Sequence, residues 1–140
     1  MRVVLDTNII VISLTSRSPY HTIFTSLVSK KFDLVISNAI LLEYQEIITV
    51  KYGEKTALLF LELFNELSNI HFINPSYHWD IIESDKDDNK FVDCAIAGYA
   101  DFIVTEDHHF DILQKISFPA ISVINTSKFL DIINSESRHD

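Results

Sequence analysis

Apolar positions along the chain fall into two kinds of run. Arg2 to Leu5, Leu34-Val35-Ile36, Phe102-Ile103-Val104 and Ala120 to Ile124 are short, rich in β-branched residues and bounded by polar ones, and they predict four buried strands. The longer runs have helical spacing. Asn38 to Val50 places Ile40, Leu41, Tyr44, Ile47 and Ile48 on one helical face, and Lys55 to Leu67 repeats the pattern with Leu58, Leu59, Leu61, Leu63, Phe64 and Leu67. Gly53 separates the two, while Tyr20 to Val28 and Lys128 to Ile133 predict weaker helices. Continuous apolar strands alternating with helices predict an α/β fold around a parallel sheet.

Composition is consistent with one dense domain: 140 residues, 47% hydrophobic, with 2 Gly and 3 Pro. We expect that domain over residues 1–134 and a polar tail over 135–140. Cys94 is the only cysteine, so it has no internal disulfide partner, and its apolar surroundings predict a buried thiol in a reducing compartment. The N-terminal apolar run meets Asp6 at once, which is unlike a signal peptide, and no apolar run approaches membrane-spanning length. These features predict a cytoplasmic protein without a membrane partner.

Charge changes the picture. The formal net charge of -9 is the wrong sign for simple attraction to a polyanion. Half of the acidic residues, however, fall between Asp80 and Asp111, where the only basic residues are Lys86 and Lys90. Such a concentration is either a solvated acidic face or a site that attracts cations.

Parallel α/β sheets bind ligands outside the carboxyl ends of their strands. That edge collects Asp6, which ends the first strand; Glu43, in the helix after the second; and Glu106 and Asp107, after Thr105 at the end of the third. Asp6 alone reads equally well as a helix cap. By helical angle Glu43 borders the core and Glu46 faces water. From Phe91 to Ala100 the chain is apolar all round apart from Asp93, so Asp93 is a buried carboxylate that needs a partner, either a cation at a site or Lys90 three residues earlier. Asp85, Asp87 and Asp88 suit the N-terminus of that helix, and Asp88 can also join the site. Asp107 is favoured over Asp111 as the fourth acid. His108 and His109 diverge by about 100° on a helix and read as solvent residues rather than zinc ligands.

Together Asp6, Glu43, Asp93 and Asp107 would crowd four negative charges into one cleft, an all-oxygen set that suits Mg²⁺ or Mn²⁺. Such ions can activate water and neutralise a phosphodiester during in-line displacement. The segments VVLDTNII, NAILLEYQEII and DDNKFVDCAIAGYADFIVTED, in this order and spacing, resemble the PIN-domain family, most closely its VapC-like toxins of bacterial toxin-antitoxin systems. The resemblance runs from Arg2 to about Ile124.

That resemblance implies a three-layer α/β/α fold and metal-dependent endonucleolytic cleavage of RNA, with a small antitoxin protein and a homodimer mate as partners. It matches Asp6 to the family's first acidic position, Glu43 to the helical glutamate and Asp93 to the aspartate opening an alanine-rich helix. Thr7, Asn8 and Thr105 match polar positions that orient those carboxylates. Many of these toxins have Asn two residues after the threonine and Asp three residues farther on, where this chain has Asp107 and Phe110. Arg17, Lys30, Lys31, Lys51 and Lys55 are the basic residues available to an RNA backbone. The alternative is a catalytically weak PIN-fold module that binds an antitoxin-like partner. An aspartyl-nucleophile phosphatase is excluded because Asn8 stands where its second acid is required.

Overall fold

The structure, a computed structural model, describes residues 1–137. Its element order is β1 (Arg2–Leu5), α1 (Thr7–Ser13), α2 (His21–Val28), β2 (Asp33–Ile36), α3 (Asn38–Tyr52), α4 (Glu54–Glu66), β3 (Ile70–Phe72), α5 (Asn89–Ala97), β4 (Phe102–Val104), β5 (Ser122–Ile124) and α6 (Thr126–Ser137). Two 3-10 segments, Lys86–Asp88 and His108–Lys115, flank α5 and β4. The α/β reading and the four predicted strands stand, the last of them beginning at Ser122 rather than Ala120.

Several features differ from the sequence expectation; on the helices, Ile47, Leu58 and Leu59 are exposed, and α4 buries Ala57, Phe60 and Phe64 instead. β3 was not anticipated: it is three residues long and lies at the sheet edge, with Ile70 buried and Phe72 46% exposed, so it lacks the apolar run that marks the central strands. α1 was foreseen only as the helix that Asp6 would cap. α6 begins earlier than Lys128 and continues to Ser137, so the first part of the expected polar tail at 135–140 is helical; residues 138–140 lie outside the described residues.

All five strands are parallel, in the order β3-β2-β1-β4-β5. The chain steps outward from β1 through β2 to β3, then returns across β1 to β4 and β5. Right-handed crossovers put α1 to α4 on one face and α5 on the other, which gives three layers. The reversal makes a switch point between β1 and β4, where a crevice opens at the carboxyl ends of the strands.

Packing fixes the helices that carry polar groups to that edge. Tyr44 of α3 is fully buried, stacks edge-on against Phe60 and Phe64 of α4, and donates its hydroxyl to the Leu5 carbonyl at 2.5 Å. Phe129 of α6 meets Phe32 and Phe102 in edge-on contacts. α5 buries Phe91, Val92, Asp93, Cys94 and Ala95, and its end lies so close to β2 that a Cβ on Gly98 would stand 2.3 Å from Val35 Cγ1. At Gly53, between α3 and α4, space is open but φ is +96°, a conformation that side chains resist.

Candidate metal centre at the sheet edge

Asp6 leaves β1 with its backbone N–H bonded to the Val104 carbonyl of β4 at 3.0 Å. It occupies the N-cap position of α1, and its carbonyl accepts from Ile9 N–H at 2.9 Å, but its side chain makes no cap bond. The carboxylate instead accepts from the Thr105 hydroxyl at 2.8 Å, and Thr105 Oγ1 accepts in turn from Asp107 N–H at 3.0 Å. One buried threonine thus ties the ends of β1 and β4 together and sets the positions of two acids. Thr7, also buried, donates its hydroxyl to Glu43. Asn8 is exposed.

Glu43 is half-buried and Glu46 exposed, as their angular positions on α3 require. Lys90 Nζ lies 2.7 Å from Glu43 Oε1 and 3.0 Å from Asp87 Oδ2. Lys90 is therefore the cation of Glu43, not of Asp93. Burial works against its charge, but Glu43 and Asp87 outweigh that and raise its pKa. Lys90 in turn lowers the pKa of Asp87, against a smaller effect of burial.

Asp88 joins this group at the start of α5. His109 Nδ1 stands 3.3 Å from Asp88 Oδ2 and 3.2 Å from Asp107 Oδ1. His109 was expected to be a solvent residue; its side chain is 43% exposed yet bridges two of the acids. His108, 93% exposed and 3.2 Å from Asp111, is a solvent residue. Asp111 is exposed, whereas Asp107 interacts with both Asp6 and Asp88. Glu106 is turned away, accepting from Thr126 N–H at 2.8 Å at the start of α6.

Asp93 has other partners. Its Oδ1 accepts from Trp79 N–H at 3.0 Å and its Oδ2 is 3.2 Å from His78 Nδ1, so both partners come from the irregular segment between β3 and α5. The need for a partner was legible in the sequence; the partner was not, because a segment fifteen residues distant supplies it.

The electrostatics of the edge suit a cation. Burial raises the pKa of Asp6, opposed by the Thr105 hydroxyl and Thr7 N–H and reinforced by Asp107 and Glu43. Asp88 is pushed up to about 6, first by burial, with His109 opposing and Asp85, Asp6 and Asp107 adding repulsion. Negative charge exceeds what Lys90 and His109 offset. Ligand atoms of Asp85, Asp88 and His109 lie within 4.8 Å of one another. A donor set dominated by carboxylate oxygen fits a hard divalent ion.

Comparison with known proteins gives the same picture of the fold. No curated protein sequence matches the chain significantly. Among solved structures, a chain of VapBC2 from Rickettsia felis, crystallised bound to a DNA fragment from its promoter, superposes with a TM-score of 0.61 at 19% identity. The match covers 89% of this chain and 98% of that one. Residues 2–109, including every acid gathered at the β1 and β4 ends, match the PIN domain family. The chain belongs to the PIN-domain family.

Proposed function

We propose that the chain is a metal-dependent endoribonuclease and the toxin of a toxin-antitoxin pair. The observation that carries this reading is the linkage, at the switch point of the sheet, of Asp6 to Asp107 through Thr105 and of Asp107 to Asp88 through His109, with Glu43 held beside them by Thr7. These four carboxylates would hold Mg²⁺ or Mn²⁺. Asp93 is left out of this set: it is held by His78 and Trp79, whereas the acids that act on Asp6 and Asp88 are Asp107, Glu43 and Asp85. When bound, such an ion supplies activation of water and neutralisation of phosphodiester charge.

The chain's own residues orient and separate the charges. Thr105 fixes one Asp6 oxygen and the Asp107 backbone, Thr7 fixes Glu43, and His109 spans Asp88 and Asp107. Lys90 pairs with Glu43 at 2.7 Å and with Asp87 at 3.0 Å. No side chain need act as a covalent nucleophile.

The test is incubation of the purified chain with labelled single-stranded RNA. Cleavage is expected with Mn²⁺ or Mg²⁺ and none in EDTA, and Asp6→Asn abolishes it. Cleavage that persists in EDTA contradicts the reading.

A partner protein is supported by a separate observation. Val50 is 86% exposed, Leu58 60% and Leu59 58%, and Leu14, Phe24, Leu59, Phe60 and Leu63 line an apolar groove near them. A small antitoxin or a second copy of the chain would cover this face. The same observation favours the second reading, an interaction module with little turnover, which full binding of a partner without any RNA cleavage would establish. No helix among the described residues is long and apolar enough to cross a membrane, in keeping with a proposed cytoplasmic site of action.

A further inference from the structure

A cavity of about 440 Å³ opens beside the carboxylate edge, a volume within the usual range of small-ligand sites. Its wall includes His78, Asp80, Lys86, Asp87, Lys90 and Asp93. Lys90 is shared with the metal centre through its 2.7 Å bond to Glu43, so whatever fills the cavity lies next to the proposed point of cleavage.

The charge of the wall disfavours a phosphate as the occupant. Three carboxylates face two lysines, and Lys90 is already engaged by Glu43 and Asp87. The wall suits a neutral group that donates hydrogen bonds. Asp93 is 5% exposed, and its carboxylate can only accept, so the His78 Nδ1 beside it carries a proton. The tautomer with its proton on Nδ1 has Nε2 as an acceptor. With Asp93 Oδ1 held by Trp79 N–H, the dyad is fixed, although the His78 side chain itself is 72% exposed.

We propose that this cavity is a nucleoside subsite: it takes the sugar and base of a nucleotide adjoining the scissile phosphate, which donate an O–H or N–H to His78 Nε2. Asp93 is the positioning residue for His78. The proposal rests on the ribonuclease reading above and names how its substrate is held. The phosphate goes to the metal centre, and the uncharged part of the nucleotide goes to the acceptor-lined cavity.

The experiment measures kcat and KM for the full chain with Mn²⁺ and a short single-stranded RNA. His78→Ala is expected to raise KM about tenfold with much less effect on kcat, the signature of lost substrate binding. His78→Gln, whose amide oxygen can accept, restores much of the affinity. Asp93→Asn shifts KM in the same direction while the Mn²⁺-induced rise in melting temperature is retained. A second arm replaces single riboses flanking the cleavage site by deoxyribose: a KM increase in wild type that is absent in His78→Ala identifies the ribose hydroxyl as donor, and no increase assigns the donor to the base. Cleavage by His78→Ala with unchanged KM overturns the subsite and leaves the ribonuclease reading intact. Absence of cleavage by wild type overturns the ribonuclease reading and the subsite with it.

Discussion

Thr105 donates its hydroxyl to the Asp6 carboxylate at 2.8 Å, and through that bond the ends of β1 and β4 are locked at the point where the strand order reverses. Everything proposed for the site depends on this lock. It holds a buried carboxylate that no cation among the described residues pairs with, a costly arrangement unless a ligand compensates it. Asp107, whose N–H bonds the same threonine oxygen, and Asp88, bridged to Asp107 by His109, add charge to the same crevice.

The first prediction separates Asp88 from Asp93. Removing one of several crowded charges relieves repulsion, so Asp88→Asn should melt above wild type in EDTA. Mn²⁺ at a hundredfold excess over Kd should stabilise wild type by about 2.7 kcal/mol, and Asp88→Asn much less. Asp93→Asn should lose about 1–2 kcal/mol in EDTA from weakened bonds to His78 and Trp79, while keeping the Mn²⁺ response. Thermal melts of the three proteins with and without Mn²⁺ check this; a Mn²⁺ response lost in Asp93→Asn and kept in Asp88→Asn would reverse the assignment.

The pH dependence follows from Asp88. Its pKa in the folded protein, about 6, lies above the ordinary 3.8, so the folded state binds the proton more tightly than the unfolded state does. Stability contributed by this group therefore falls as pH rises from about 4 to 6, the reverse of the usual aspartate case. In EDTA the melting temperature should carry a component that rises on going from pH 7 to pH 5 and disappears in Asp88→Asn. Because protons compete with a cation for the same oxygens, Mn²⁺ should stabilise less at pH 5 than at pH 7. A Mn²⁺ effect that grows on acidification would contradict the carboxylate site.

Lys90 links the site to the neighbouring cavity. Lys90→Met removes the cation from a half-buried Glu43 and should destabilise the protein in EDTA by about 1 kcal/mol, since the pair is partly exposed. With Glu43 uncompensated, Mn²⁺ should raise the melting temperature of the variant more than that of wild type. Equal shifts in both would show that Glu43 does not sense the metal.

Self-association is the expected state of a chain that leaves Val50, Leu58 and Leu59 exposed on adjacent helices. Light scattering should give a dimer at micromolar concentration, and Leu58→Lys with Leu59→Lys should yield a folded monomer. A wild-type monomer at high micromolar concentration would leave this face to a different partner.

The sequence resolves these features unevenly, for physical reasons. Central strands buried on both faces read as continuous apolar runs, and α3 carries a one-sided pattern, so the sheet, Glu43 and its exposed neighbour Glu46 were legible. Asp6 and Thr105 were legible because strand ends in a parallel sheet converge. β3 was not, since an edge strand of three residues has neither length nor an apolar pattern. Asp93 drew attention as the one charge in an apolar helix, but burial alone shows that a partner exists, not which one. Asp88 was partly hidden by the ordinary reading of acids at a helix N-terminus, and the bridging role of His109 emerges only once the turn after β4 is placed against the start of α5.

The most direct measurement of the central claim is single-turnover cleavage of a labelled single-stranded RNA in Mn²⁺, comparing wild type, Asp6→Asn, Asp88→Asn and Asp111→Asn. Loss of a carboxylate from the centre should slow cleavage by at least about a hundredfold, while the exposed Asp111, which pairs with His108, is dispensable. The account predicts cleavage by wild type and Asp111→Asn, and none by the other two or by wild type in EDTA. Wild-type rates in Asp6→Asn and Asp88→Asn, or undiminished cleavage in EDTA, would contradict it.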